Sequence, residues 1–125
     1  MAHARLKFFD LHVSNKSQIA QQALVYISAL YDVEREVKHL GVNERLQIRQ
    51  STSKPLADAL HQWMQLQRLQ ITDGSATAKA LDYSLKRWGA LTQFLDDGQL
   101  PIDNDWIENQ IRPIVIGRKN WVFAG

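Results

Sequence analysis

The sequence contains no cysteine. This absence excludes disulfide bonds, zinc ribbons and catalysis by a thiol, and it is typical of proteins from a reducing cytoplasm, where we expect this protein to act. Histidine is scarce as well, and its four positions show no spacing typical of metal ligands. We therefore predict no histidine-based metal site.

The chain also lacks any apolar run near the roughly 20 residues of a membrane span, and its N-terminus has no signal-peptide hydrophobic region. We expect no contact with a membrane. A strong excess of one charge is absent too, since 15 basic side chains stand against 13 acidic ones and give a net charge of +2. This bias permits binding to nucleic acid without arguing for it.

Helical periodicity is the strongest pattern that is present. From Ser17 onward, apolar residues alternate steps of four and three, which predicts a long helix ending before Gly41. A stripe this regular has to be covered, either by the next helix or by a second copy of the chain. Its members are Ile19, Ala23, Tyr26, Leu30, Val33, Val37 and Leu40.

Two further helical segments follow. One begins near Asn43 and is interrupted at residues 51–55, where Pro55 is compatible with a kink or with the first turn of a new helix. The helical pattern then continues to about Gln70, and this segment is expected to form an antiparallel hairpin with the first long helix. Another helix begins after Ser75, its predicted cap. Lys86 and Arg87 lie on its surface, either as DNA phosphate contacts or as a solvated basic face.

The C-terminal stretch predicts a short helix that begins at Asp103 and ends at Pro113. On it Asn104, Glu108 and Arg112 share one face, because residues four apart stack on the same side. Two interpretations are open for Glu108. It is either a metal ligand placed beside phosphate oxygens, or a capping-box and ion-pair residue. The aspartates at positions 96, 97, 103 and 105 are explained by turn and cap chemistry.

A resemblance favours the first interpretation. The run from Asp103 through Glu108 and Arg112-Pro113 to Gly117-Arg118-Lys119-Asn120-Trp121 resembles the signature of the transposases of insertion sequence 66, which belong to the DDE class. Ala2-His3-Ala4-Arg5 and Tyr83 to Gly98 resemble upstream segments of the same family, in the same order. The resemblance covers essentially the whole chain.

The resemblance implies a ribonuclease H-like core in which two aspartates and one glutamate hold magnesium or manganese ions. Glu108 would be that glutamate, and the two aspartates are expected upstream of Met1. The same resemblance implies that nearby cations orient the glutamate or contact DNA, and that two asparagines position these groups. The predicted DNA-contacting residues are Arg112, Arg118, Lys119, Lys86, Arg87 and Arg5, and the supporting ones are Asn104 and Asn120.

We therefore expect a mainly α fold. Residues 1–98 would form a helical hairpin or bundle of the insertion type, and residues 99–125 a short fragment of the ribonuclease H-like core. The implied function is that of the C-terminal part of a DDE transposase, which cleaves and joins DNA at transposon ends and is inactive as an isolated fragment. The alternative is a non-catalytic truncated derivative, acting as a DNA-binding or dimerisation module that pairs with itself or with full-length transposase.

Overall fold

A computed structural model of the chain describes residues 1–103, and within this range every regular element is helical. The predicted mainly α fold is thereby confirmed, whereas the predicted ribonuclease H-like fragment lies largely outside the described residues. The elements are α1 (Ala2–Asn15), α2 (Gln18–Val37), α3 (Val42–Ile48), a π-helical segment (Arg49–Ser53), α4 (Lys54–Leu69), α5 (Ala76–Lys86), α6 (Trp88–Leu91) and a 3₁₀ turn (Gln93–Asp96).

The predicted long helix is present as α2. Its first turn is capped by Ser17, whose hydroxyl oxygen accepts a hydrogen bond from the backbone N–H of Ala20 at 3.1 Å. The helix ends at Val37, as the predicted end before Gly41 requires. Gly41 does not cap α2, however, because it precedes α3 in an extended conformation. The turn between α2 and α3 is instead held by the side chain of Arg45.

The apolar stripe of α2 is covered inside the chain, because α2 packs against both α1 and α4. At two positions in the N-terminal half of α2, the buried stripe is shifted by one residue from the predicted seam. Ala20 and Ile27 are therefore fully buried, whereas the predicted Ile19 and Tyr26 are only half-buried. The remaining buried positions, Ala23, Leu30, Val33 and Val37, agree with the prediction.

The chain from Val42 to Leu69 stays helical throughout, so the predicted interruption at residues 51–55 was wrong. The π-helical segment joins α3 to α4 without a break in helical conformation. Pro55 lies in the first turn of α4, where a missing backbone N–H is tolerated. Such a widened turn is frequently found at functional sites in helical proteins.

The core lies among α1, α2, α4 and α5. Each helix contributes a side chain with at most 1% exposure, namely Phe8, Leu30, Met64 and Leu81 in chain order. Burying a side chain of this size stabilises the fold by about 1.5–3 kcal/mol. None of the helices in residues 1–103 is long and apolar enough to cross a membrane.

The predicted turn between α4 and α5 is confirmed. Gly74 has a φ of 86°, a conformation that glycine adopts without steric cost, and the hydroxyl of Ser75 accepts a hydrogen bond from the N–H of Ala78 at 3.1 Å. Arg68 donates to Asp82 at 2.9 Å and to Asp73 at 2.6 Å. These hydrogen bonds raise the pKa of Arg68 above its ordinary value.

Candidate functional site

Arg49, the first residue of the π-helical segment, is 2% exposed. Its Nε and Nη2 donate to the two carboxylate oxygens of Glu34 on α2, at 3.0 and 2.6 Å, in the two-pronged geometry that suits a guanidinium. Its Nη1 donates to the carbonyl oxygens of Phe94 at 3.0 Å, Asp97 at 2.6 Å and Leu100 at 2.8 Å. One buried cation therefore joins α2 to the irregular chain after the 3₁₀ turn.

Arg45 lies one turn earlier, on α3. Its Nη1 donates to the carbonyl oxygen of Gly98 at 2.8 Å, and its Nη2 donates to those of Leu40 at 2.7 Å and Lys38 at 3.1 Å. Its Nε reaches the carbonyl oxygen of Val37 at 3.3 Å. Carbonyl groups at a helix C-terminus lack intrahelical partners and attract a cation, so Arg45 caps α2 while it holds Gly98.

Two further features fix the same stretch of chain. Gln50 donates through Nε2 to the carbonyl oxygen of Leu95 at 2.6 Å and to the carboxylate of Asp96 at 2.8 Å. Gly98 packs so closely on α3 that a Cβ added to it would lie 2.2 Å from the carbonyl oxygen of Val42. Real Cβ atoms do not approach a backbone oxygen this closely, so the backbone of Gly98 requires glycine.

We call Arg45, Arg49 and Gln50 the carbonyl clamp, and residues Phe94–Leu100 the clamped segment. The clamp binds the carbonyl oxygens of five of the seven residues in this segment, at positions 94, 95, 97, 98 and 100. The clamped segment is the stretch of chain that leads towards Glu108, which follows Leu100 by eight residues.

The chain beyond the clamped segment is held by α1 and α2. The amino group of Met1 donates to the carbonyl oxygen of Ile102 at 3.2 Å. The hydroxyl of Tyr31 on α2 donates to the carboxylate of Asp103, and the guanidinium of Arg5 lies 4.1 Å from the centroid of the Tyr31 ring. Arg5 is therefore close to the last residue that the structure describes.

A second tyrosine joins α1 to the end of α5. The Nζ atom of Lys7 lies 5.0 Å from the centroid of the Tyr83 ring, and the Cζ atom of Arg87 lies 4.1 Å from it. Arg87 also donates to the carbonyl oxygen of Tyr83 at 3.3 Å, while the neighbouring Lys86 is exposed to solvent. Cations over aromatic rings keep their charge and remain able to attract phosphate.

We use the name basic cluster for the three cations that lie over two tyrosine rings: Arg5 over Tyr31, and Lys7 and Arg87 over Tyr83. Of the predicted DNA-contacting residues, Arg5 and Arg87 lie in this cluster, and Lys86 lies on the adjacent surface of α5. The structure adds Lys7 to the set, because it approaches the same ring as Arg87. Six predicted site residues, Asn104, Glu108, Arg112, Arg118, Lys119 and Asn120, lie outside the described residues.

The aspartates near this region do not form a metal site by themselves. Asp97 accepts the backbone N–H of Gln99 at 2.7 Å, Asp96 accepts Gln50, and Asp103 accepts Tyr31. Within residues 1–103 no three histidine, cysteine or acidic side chains are grouped as a metal ion would require. A metal ion bound by Glu108 would therefore need further ligands, because residues 1–103 provide no ready group of them.

The sequence does not predict the carbonyl clamp. Arg45 and Arg49 are spaced by four residues in a helix that also carries Leu46 and Ile48, a pattern that reads as an exposed basic face. The sequence offers one further signal for the clamp: Glu34, on the other long helix, is an acidic residue with which a buried arginine can pair. Neither feature specifies a buried pair, since charged side chains are rarely buried unless they are paired in this way.

The described part of the protein is thus a helical region that holds the clamped segment by arginine and glutamine side chains and places Arg5 near Asp103 beyond it. Comparison with known proteins gives the identity that this geometry alone does not. The whole chain, residues 1–125, matches the family described as Transposase IS66 family. The chain belongs to the IS66 family of transposases.

The curated relatives include three proteins of Sinorhizobium fredii, each named as uncharacterized. Protein y4hP is 38% identical over 99% of this chain and 25% of its own length. Proteins y4qI and y4jD are 38% and 33% identical, over 23% and 24% of their lengths. The chain therefore spans about a quarter of the length of these relatives. No solved structure matches it.

Proposed function

We propose that this chain is the part of an IS66 family transposase that contributes the glutamate of a metal-dependent DNA-cleaving site. In this proposal Glu108 is a catalytic residue and metal ligand, residues 99–125 belong to a ribonuclease H-like core of the DDE class, and residues 1–98 are the helical region that supports it. The match to the family over the whole chain carries the proposal.

The arrangement of the described residues supports it. The three segments that resemble the family lie far apart in sequence, yet α1 contacts the regions of both later segments. Met1 contacts Ile102, Arg5 contacts Tyr31 beside Asp103, and Lys7 from α1 contacts Tyr83. A scaffold that gathers these segments around the start of the Glu108 stretch is what such a site requires.

Magnesium or manganese, when bound, would activate the attacking oxygen and stabilise the leaving oxygen during strand cleavage and joining. Glu108 would hold it together with two aspartates that have no matching segment in these 125 residues. The chain's own contribution is to orient one carboxylate and, through Arg112, Arg118 and Lys119, to neutralise phosphate charge. Asn104 and Asn120 would support these groups by hydrogen bonds. We expect no strand transfer by the isolated chain.

The test is a chimera in which this chain replaces the corresponding quarter of a complete IS66 family transposase. We expect magnesium-dependent cleavage of transposon ends, and its loss in the chimera carrying Glu108→Gln. Glu44→Gln, an exposed glutamate of α3, is the matched control and should leave cleavage unchanged. An active Glu108→Gln chimera would refute the role of Glu108. Metal-dependent nicking by the isolated chain that Glu108→Ala abolishes would instead refute the expectation that the isolated chain is inactive.

DNA is the proposed partner, and the basic cluster with Lys86 is its proposed contact surface in the described residues. Each phosphate neutralised by a cation releases counterions, so removing two contacts should reduce the salt dependence of affinity by about two units of log–log slope. We expect this for Arg5→Gln with Arg87→Gln, measured by fluorescence anisotropy across a salt series. Replacing Arg35, an exposed arginine of α2, is the control. An unchanged slope in the double variant would remove the cluster from the interface.

The dimerisation alternative depended on a free apolar stripe along α2. That stripe is buried against α1 and α4 within one chain, so the described residues no longer favour self-pairing through α2. Backbone-directed DNA binding without catalysis keeps its support from the basic cluster. The chimera separates it from the main proposal, because a pure binding module would not need Glu108.

A further inference from the structure

We infer that the carbonyl clamp is a positioning device, in which Arg49 fixes where the chain leaves the helical region on its way to Glu108. The inference deepens the proposed function and rests on it for its consequence in catalysis. Its structural content stands on the described residues alone. Arg49 acts through the clamped segment and touches no reacting atom in this proposal, so it is a positioning residue.

The clamped segment cannot position itself by regular secondary structure. The 3₁₀ turn ends at Asp96, where the backbone N–H of Asp97 donates to the carbonyl oxygen of Phe94 at 3.2 Å, and no helix or strand continues from there to residue 103. The carbonyl groups of Phe94, Asp97 and Leu100 share the single Nη1 atom of Arg49. Because backbone groups need a partner when they are buried, these carbonyls follow the position of the guanidinium. The site of Arg49 thus determines the path of the segment.

The guanidinium itself is fixed from the opposite side. Glu34 holds two of its nitrogen atoms, and the ring of Phe94 lies with its centroid 5.1 Å from the Cζ atom of Arg49. Arg49 begins the π-helical segment, and Ser53, one turn further on, is also fully buried. The widened turn therefore presents a rigidly held cation to the clamped segment.

Stability alone does not account for this arrangement. A buried ion pair is often no more stabilising than apolar side chains of similar volume, because both charges lose their hydration. The buried ring of Phe94 shows that apolar packing is available next to the pair. What apolar side chains cannot do is bind carbonyl oxygens at defined points. The double variant Arg49→Met with Glu34→Leu separates the two roles, since it removes the hydrogen bonds and leaves no buried charge behind.

The absence of native cysteine makes a direct measurement simple. Spin labels on Gln21→Cys and Pro101→Cys, two exposed positions, report the distance from α2 to the chain just beyond the clamped segment. Pulsed electron paramagnetic resonance should give a narrow distance distribution for the otherwise native chain and a broader or displaced one for the double variant. The matched pair Gln22→Cys and Asp58→Cys, on α2 and α4, should be unchanged by the double variant.

An unchanged Gln21–Pro101 distribution in a folded double variant would overturn the inference. Circular dichroism establishes whether the variant folds. If it does not, Arg49→Lys takes its place, because a lysine keeps a positive charge beside Glu34 but lacks the forked guanidinium that binds the carboxylate and three carbonyl groups together. Arg49→Lys should broaden the distribution as well, and an unchanged distribution in that variant would also overturn the inference.

The second readout is kinetic and uses the chimera described above. Misplacing a catalytic group by a small distance costs rate rather than substrate affinity, so we expect kcat to fall by about 10- to 100-fold in the clamp variant with KM for DNA unchanged. A fall in kcat accompanied by a matching rise in KM, or an unchanged kcat, would contradict the positioning role. An inactive parent chimera would instead count against the proposed function, while the spin-label distances would still decide whether the clamp positions the chain.

Discussion

The apolar core and the carbonyl clamp hold the protein together by different means. In the core many side chains share one kind of interaction, so that Phe8, Leu30 and Leu81 are each fully buried among apolar neighbours. At the clamp a single guanidinium binds one carboxylate and three carbonyl oxygens. The difference shows that apolar packing determines which helices associate, whereas directed hydrogen bonds determine the path of the chain that follows the last helix.

The apolar core and the carbonyl clamp should also differ in how they respond to the loss of one side chain. A core leucine leaves a cavity that its neighbours partly refill, so the cost varies with local relaxation. The loss of Arg49 leaves Glu34, which is 14% exposed, without its partner, and removes the Nη1 donor from three carbonyl groups. The clamp is therefore expected to be less tolerant of substitution than the core.

Arg49→Met should produce the largest loss of stability. Removing one partner of a buried ion pair strands the other charge, and we expect the free energy of unfolding to fall by about 3–5 kcal/mol. Urea denaturation followed by circular dichroism measures it. The matched control is Arg35→Met, because Arg35 pairs with Asp32 on the surface of α2 at 71% exposure and should contribute at most about 1 kcal/mol.

Adding Glu34→Leu to Arg49→Met provides the sharper result. If the stranded charge causes the loss, the double variant should recover most of it, because apolar replacement of a buried pair is often neutral. A double variant as unstable as Arg49→Met would show that the hydrogen bonds to the clamped segment, rather than the charge balance, carry the stability of this region.

The features that the sequence predicted correctly are those that depend on local patterns. Leu30, Val33 and Val37 follow helical spacing, so the long helix and most of its buried face were recognised from periodicity. Ser75 and the turn before it were recognised from capping chemistry. Arg5, named from the family resemblance, and Arg87, named from the surface of its helix, each lie over a tyrosine ring.

What was not predicted depends on contacts between residues distant in sequence. Arg49 is separated from Glu34 by 15 positions and from Leu100 by 51, and no periodic pattern encodes such a meeting. The unbroken helix through Pro55 was missed for a related reason, since the π-helical turn that accommodates proline has no sequence signal of its own. Local rules describe elements well, but they do not describe which buried polar groups meet.

Leu30→Ala tests the core side of the comparison. Leu30 is 0% exposed, and we expect the free energy of unfolding to fall by about 2–5 kcal/mol through lost burial and a residual cavity. Leu69→Ala is the matched control, because Leu69 is 84% exposed and its loss should change stability by less than about 0.5 kcal/mol. Equal losses at both positions would contradict the described packing of α2 and α4.

Gly98→Ala should have an intermediate effect at the clamp. The added Cβ meets the carbonyl oxygen of Val42 at 2.2 Å, so the backbone has to move, at a cost of about 1–3 kcal/mol typical of overpacking. The control is Gly89→Ala, where no heavy atom lies within 4 Å of the added Cβ and the substitution should be neutral or stabilising by about 0.4–1 kcal/mol. Opposite signs at the two glycines, measured by thermal unfolding, would support the described contact.

Ser75→Ala should have the smallest effect and should stay local. The hydroxyl of Ser75 accepts the N–H of Ala78 at the start of α5, and losing such a cap costs about 1 kcal/mol. Ser75→Asp, which keeps an acceptor at the same position, should retain most of the stability. Because Ser75 has no contact with the clamp among the hydrogen bonds described, the Gln21–Pro101 spin-label distance should be unchanged in both variants. A shift of that distance in Ser75→Ala would show that helix formation, and not the clamp alone, fixes the path of the clamped segment.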